Sequence, residues 1–184
     1  MRIIAGEARG RTIEAPAGLH TRPTLDRVRE NLFNMIQNDV PGSRVLDLFA
    51  GSGALSLEAL SRGASFAVLA DTDRNACDVQ ERNIRILRYE NRTRQFRCDW
   101  RIAVQKLMNE QDCFDLVFLD PPYAMLDLRE VFQSLIPVTG AATLIILEHE
   151  SGKQPSVPDQ FRPVKNRAWG FCAVTIYQFR TEGE

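Results

Sequence analysis

From Arg44 onward the chain alternates short apolar runs with stretches of helical periodicity, and it does so repeatedly. Stretches at 44–48, 65–70, 93–98, 114–119 and 143–148 read as strands, all but the polar 93–98 with the composition of buried ones. Between them, 54–62, 75–88, 100–109 and a shorter stretch near 128–135 carry helical spacing, with stops at Gly63 and before Pro137. Parallel neighbours need a crossover, so this alternation predicts an α/β fold: a mostly parallel sheet covered by helices. The end of the chain breaks the pattern. Residues 161–167 and 171–180 read as two strands joined through Trp169-Gly170, an antiparallel hairpin, after a Ser-, Pro- and Gly-rich loop at 151–158. Upstream, 2–5 and 11–15 alternate enough for a short hairpin around Gly6 and Gly10. Pro23-Thr24 then opens a helix with Val28, Leu32, Phe33 and Ile36 on one face, ending before Pro41-Gly42.

At 184 residues this is the size of a single domain, and 44% hydrophobic with 26% charged residues excludes a disordered chain. The longest apolar stretch, 141–147, is far short of the roughly 20 residues a membrane helix needs. The opening residues lack the apolar core of a secretory signal, which points to a cytoplasmic address. Four separated cysteines without a C-x-x-C pair, and two histidines without ligand spacing, give no expectation of a disulfide framework or a metal site. With a net charge of −1, any nucleic-acid partner has to be held by a local patch. Residues 1–30 offer one, with Arg2, Arg9, Arg11, Arg22, Arg27 and Arg29 against Glu7, Glu14, Asp26 and Glu30. Arginine's planar fork suits phosphate and guanine edges, although a solvated strand and helix face accounts for the charges equally well.

Chemistry-bearing residues gather where strands end. Val45-Leu46-Asp47-Leu48-Phe49-Ala50-Gly51-Ser52-Gly53 leads a strand into a helix start through two glycines that let a ligand approach the backbone. The dinucleotide fingerprint would require a third glycine where Ser56 stands, and Asp47 suits a cationic ammonium better than a pyrophosphate. Asp71, twenty residues past Gly51, is spaced to accept the hydroxyls of a ribose. Asp99 can accept from an adenine amino group, with Trp100 against the ring, and Asp is also an ordinary helix cap. After the run 116–119 come Asp120-Pro121-Pro122-Tyr123. Here an acid and a carbonyl can accept from an exocyclic amine while an aromatic ring stacks on the base, unless the four residues are simply a strand-ending turn. In a parallel sheet, Asp47, Asp71, Asp99 and Asp120 converge on one edge.

These features resemble the class I S-adenosylmethionine-dependent methyltransferases, and among them the bacterial RsmD family of 16S ribosomal RNA guanine-N2 methyltransferases. The resemblance rests on Met1-Arg2-Ile3-Ile4-Ala5-Gly6 with Arg9-Gly10-Arg11, on Thr21-Arg22-Pro23-Thr24 with 26–30, on 46–55, and on Phe114-Asp115 through Tyr123. It implies a Rossmann-like seven-stranded sheet in the order 3-2-1-4-5-7-6 and methyl transfer to a guanine N2 of the small ribosomal subunit. It also implies an extension at 1–42 that contacts RNA and a cofactor-binding catalytic core at 43–184; from the residues themselves the chain is expected to need no metal, and it is expected to work as a monomer. The expected cofactor contacts are Asp47, Phe49, Gly51, Gly53, Asp71, Asp99 and Trp100, and the catalytic residues are Asp120, Pro121, Pro122 and Tyr123. RNA contacts fall to Arg9, Arg11, Arg22, Arg27 and Arg29. The sequence departs from the family pattern at Asp71, where Glu is usual, at Trp100, and at Trp169-Gly170-Phe171. Rival readings are an adenine-N6 methyltransferase, a nicotinamide oxidoreductase weakened by Ser56 and Asp47, and a non-catalytic RNA-binding assembly factor.

Overall fold

The computed structural model describes residues 1–15 and 23–180, with 23–25 described by backbone alone. Seven strands form one sheet: β1 (Arg44–Asp47), β2 (Phe66–Asp71), β3 (Thr93–Arg97), β4 (Phe114–Leu119), β5 (Thr139–Glu150), β6 (Phe161–Trp169) and β7 (Cys172–Phe179). Their spatial order is β3-β2-β1-β4-β5-β7-β6, the order the resemblance implied. The first five are parallel, and β5, β7 and β6 pair antiparallel. Helices α1 (Pro23–Met35), α2 (Ala54–Ser61), α3 (Arg74–Leu87), α4 (Trp100–Asn109) and α5 (Arg129–Leu135) complete the chain. Among the described residues no helix is long and apolar enough to cross a membrane.

The β-strands alternate their side chains between two cores, as their period of two requires. One face carries Val45, Leu69, Phe118, Ile146 and Val174 with Leu32, Phe33, Ile36 and Leu57 from the helices. The other carries Leu46, Val68, Val117 and Ile145 with Trp100, Leu107, Phe132 and Tyr177. Strand β5 is longer than the apolar run at 143–148. Thr139 pairs with Phe114 across a bulge, which carries the ladder through Gly140 and its neighbours.

The N-terminal hairpin is reduced to a single bridge, Arg2 to Thr12. Backbone bonds from Ile3 N to Arg11 O, Gly10 N to Ile3 O and Ile13 N to Met1 O flank that bridge, and the end of α2 satisfies other groups of the segment. Fully buried Glu58 accepts from Ile4 N (2.8 Å) and Ala5 N (3.0 Å), while Ser61 Oγ donates to Ala5 O and accepts from Ala8 N. Gly6, at φ +82°, lies so close to this helix end that a Cβ there would sit 1.8 Å from the Ser61 carbonyl oxygen. On the far side, Asn83 of α3 bonds both Glu14 backbone groups and also donates to Ser52 O, tying the segment to the glycine loop.

Candidate functional site

The strand order reverses between β2 and β4, with β1 at the switch point, and the parallel strands all end on the same edge. Open α/β sheets hold ligands in this crevice because the connections after neighbouring strands, α2 after β1 and α5 after β4, run to opposite faces there. Along the edge the acids follow in the order Asp99, Asp71, Asp47, Asp120 and Glu148, one per strand from β3 to β5. Asp47 and Asp71 are the last residues of β1 and β2, and Asp120 immediately follows β4. Register puts four of these acids, Asp71, Asp47, Asp120 and Glu148, on one face. Asp47 pairs with Phe118, two residues before Asp120, and Leu119 pairs with Leu147, which sets Asp120 level with Glu148.

Asp47 is buried, and its Oδ2 accepts from Ser56 Oγ at 2.9 Å. Ser56, where a dinucleotide loop would need glycine, therefore supports the acid. Asp47 Oδ1 is buried without a hydrogen-bond partner. Desolvation pushes this carboxyl up to about 7, against the pull of the Ser56 hydroxyl and with added repulsion from Asp71. A buried, unpartnered acceptor matches an ammonium donor.

After β1 the chain turns through Ala50-Gly51-Ser52-Gly53, held by Gly53 N to Ala50 O at 2.7 Å. Gly51 adopts φ +52°, and the space its missing Cβ leaves is open. The Gly51 N–H donates to Asp71 Oδ2 (2.8 Å), and Asp73 N donates to Asp71 Oδ1 (2.9 Å), which fixes the carboxylate and leaves each oxygen a further lone pair. From below, buried Gln80 donates to Gly51 O at 2.8 Å. Phe49 is half-buried against the second core.

Two expected contacts have structural duties. Asp99 caps α4 by accepting from Arg101 N at 2.9 Å, which uses its Oδ1. Trp100 is a correction: it is packed into the second core and covered by the Arg101 guanidinium, 4.3 Å from the ring centroid, so it presents no open face to a ligand ring.

At β4 the chain leaves the sheet through Asp120-Pro121-Pro122-Tyr123, and Met125 N closes the turn on Pro122 O at 2.8 Å. Pro121 is buried and anchors the turn, while Tyr123 is half exposed. Asp120 stays in contact with water at the floor of the crevice. Desolvation by the surrounding protein, then Glu148 and Asp47, raise its carboxyl well above the usual range. Water screens part of that effect, and its direction follows from like charges sharing one edge. Burial likewise pushes Tyr123 up to about 12, with help from Glu148, and raises Glu148 itself. A small recess of about 10 Å³ behind the turn is lined by Pro121, Pro122, Tyr123, Glu148 and Glu150 among others. It is too small to hold a base, and the ring of Tyr123 is half exposed outside it. Glu148 was not singled out in the sequence, yet the signal was present: it follows the apolar run of β5 as Asp120 follows that of β4.

The arginines separate into three groups. Arg9 and Arg27 are exposed and, with Arg2, line a groove of about 510 Å³ between the N-terminal segment and α1, which Asp26 and Glu30 also flank. Arg29 is a correction to the sequence reading. Its guanidinium is buried, donating to Arg2 O (2.6 Å) and Asp26 (3.0 Å), with Glu58 at 3.8 Å, so it holds the segment together and is not available to RNA. Arg11 is also committed, its guanidinium donating to the carbonyls of Ile86 and Leu87 at the end of α3. Arg22 lies outside the described residues.

The family model described as "Conserved hypothetical protein 95" matches residues 1–178. The ribosomal RNA small subunit methyltransferase D of Escherichia coli K12 is 36% identical over 187 positions, covering 100% of this chain and 92% of that protein. The chain belongs to the RsmD family. The same-named Haemophilus influenzae protein is 33% identical over 97% of the chain and 93% of its own length. Among solved structures, yhhF of Escherichia coli, described as a methyltransferase candidate, superposes with TM-score 0.82 at 32% identity, covering 99% of each chain. The RsmD sheet order and the class I methyltransferase fold are thus those of this chain.

Proposed function

We propose that this protein transfers a methyl group from S-adenosylmethionine to the exocyclic N2 of a guanine in 16S ribosomal RNA, in the cytoplasm where small subunits are built. One observation carries the reading. The Gly51 loop and Asp47 follow β1, Asp71 ends β2 on one side of it, and the Asp120–Tyr123 turn ends β4 on the other, so a nucleoside cofactor and an amine-bearing base can meet at the switch point. The names of the full-length relatives support the ribosomal RNA target, and the choice of guanine rests on the family resemblance.

The residues present fit the cofactor: open space at Gly51, an unpartnered buried oxygen on Asp47, and spare lone pairs on Asp71. Asp47 would take the ammonium, Asp71 the ribose hydroxyls, and the free Oδ2 of Asp99 the adenine amine. When bound, S-adenosylmethionine supplies an electrophilic methyl group on a sulfonium. The protein's own part is positioning and proton handling. Tyr123 stacks on a guanine turned out of its helix, while Asp120 and the Pro121 carbonyl accept from N2–H and steer the nitrogen lone pair toward the methyl. Asp120 then takes the proton released from N2, directly or through water, a role favoured by its raised affinity for protons. Arg2, Arg9 and Arg27 would hold the RNA backbone in the groove.

The test is Asp120→Asn. Single-turnover methylation should fall on the order of 10²-fold or more, the usual worth of a positioned acid or base, while S-adenosylmethionine affinity stays unchanged by calorimetry. Loss of cofactor binding in its place would assign Asp120 to the wrong half of the site.

A further inference from the structure

We propose that Glu148 is the residue that distinguishes guanine from adenine, by accepting the N1–H of the target base beside the reacting amine. The inference rests on the methyltransferase reading above and goes beyond it, since the Asp120–Tyr123 turn alone accepts any exocyclic amine.

Three observations place Glu148 at this task. Leu119 and Leu147 are ladder partners, so Asp120 and Glu148 stand side by side on adjacent parallel strands and leave the sheet on the same face. Glu148 pairs with Val174 of β7, and Phe118, Ile146 and Val174 all lie in the first core, which fixes that face independently. Finally, Glu148 shares the walls of one recess with Pro121, Pro122 and Tyr123.

The electrostatics ask for a donor-rich ligand. Asp120 and Glu148 repel one another, and burial holds the Glu148 carboxyl above its ordinary range, with partial relief from the Cys172 thiol and His149. Guanine carries N1–H directly next to its N2 amine, so the edge that reaches Asp120 brings another donor to the neighbouring acid. Adenine has a bare N1 next to its N6 amine, and a carboxylate facing that lone pair is repelled. A site built to accept an N–H rejects the analogue lacking it, because the acceptor is left unpaired.

The experiment uses small subunits reconstituted with 16S RNA in which the guanine methylated by the wild-type protein, mapped beforehand by mass spectrometry of RNA fragments, is retained or replaced by 2-aminopurine. That base keeps the N2 amine and has no hydrogen at N1. Single-turnover rates on the two substrates give a preference ratio, and the intrinsic difference between the bases cancels when variants are compared. Glu148→Gln should lower the ratio about tenfold or more, because its amide N–H can donate to the bare N1, and S-adenosylmethionine affinity should be unchanged. Glu148→Asp keeps the charge, so it should lose rate while retaining the preference for guanine. An unchanged ratio in Glu148→Gln, a collapsed ratio in Glu148→Asp, or loss of cofactor binding in Glu148→Gln would each overturn the assignment while leaving the methyltransferase reading intact. If the wild-type protein methylates no guanine, both fall together.

Discussion

Replacing Asp47 with asparagine should make the cofactor-free protein more stable at pH 8, with little or none of that gain left at pH 5. In the fold this carboxyl titrates near 7, while in the unfolded chain it ionises near its ordinary 3.8. Between those values the folded protein binds more protons than the unfolded one, so stability falls as pH rises from about 4 to about 7 and stays low above. At ~1.4 kcal/mol per pKa unit the gap corresponds to an upper bound of about 4 kcal/mol. Asparagine can still accept from Ser56 Oγ, but it places an amide N–H where Oδ1 now has no partner, at a cost of ~1–3 kcal/mol. At pH 8 the variant should gain ~1–3 kcal/mol net, or roughly 2–10 °C in Tm for a domain of this size. At pH 5 the folded acid is neutral but the unfolded one is still ionised, so only about 1.2 of the roughly 3 pKa units remain, ~1.7 kcal/mol, and the gain of the variant should shrink by ~2–3 kcal/mol to near zero. Thermal unfolding at both pH values checks this, and a variant less stable than wild type by the same amount at each would refute the reasoning. The same substitution should weaken S-adenosylmethionine binding, because the acceptor for its ammonium is gone.

Gly6→Ala should destabilise the protein by on the order of 3 kcal/mol or more in a denaturant titration, since it adds a strained positive φ to a Cβ clash with the Ser61 carbonyl. Arg9→Glu combined with Arg27→Glu should leave Tm within about 2 °C and weaken RNA binding with a shallower salt slope; Arg29→Gln should instead unfold the protein at lower temperature, because it strips a buried partner from Asp26 and Glu58. Tyr123→Phe should retain most methylation activity, since stacking needs the ring, whereas Tyr123→Ala should lose ~1–3 kcal/mol of RNA affinity, measured with a catalytically inactive Asp120→Asn background.

The core of the sheet was legible because β1, β2, β4 and β5 carry contiguous apolar runs and α3 and α4 carry Asp caps. Trp100–Asn109 and Phe114–Leu119 begin and end where sequence places them. The N-terminal hairpin was legible as a pairing of 2–5 with 11–15, but its anchorage was not, because the backbone donors of Ile4, Ala5 and Ala8 bond Glu58 and Ser61, more than fifty residues away, and local alternation cannot show such partners. Arg29 was misread although a signal existed. It lies three, four and seven positions before Leu32, Phe33 and Ile36, on the buried stripe of α1, where only a paired guanidinium is tolerated. Trp100 failed for a related reason: its position after an expected ligand drew attention from the core its helix faces. Glu148 became visible only through register, which sets it level with Asp120 across two strands.

The central claim is that this chain methylates a guanine amine with residues at the ends of β1 and β4. The direct measurement incubates it with methyl-labelled S-adenosylmethionine and small subunits or 16S RNA lacking modification, digests the RNA to nucleosides and identifies the labelled product by mass spectrometry. The account predicts N2-methylguanosine with the wild-type protein and little or none with Asp120→Asn. Labelled N6-methyladenosine, or no labelled nucleoside from either substrate, would contradict it.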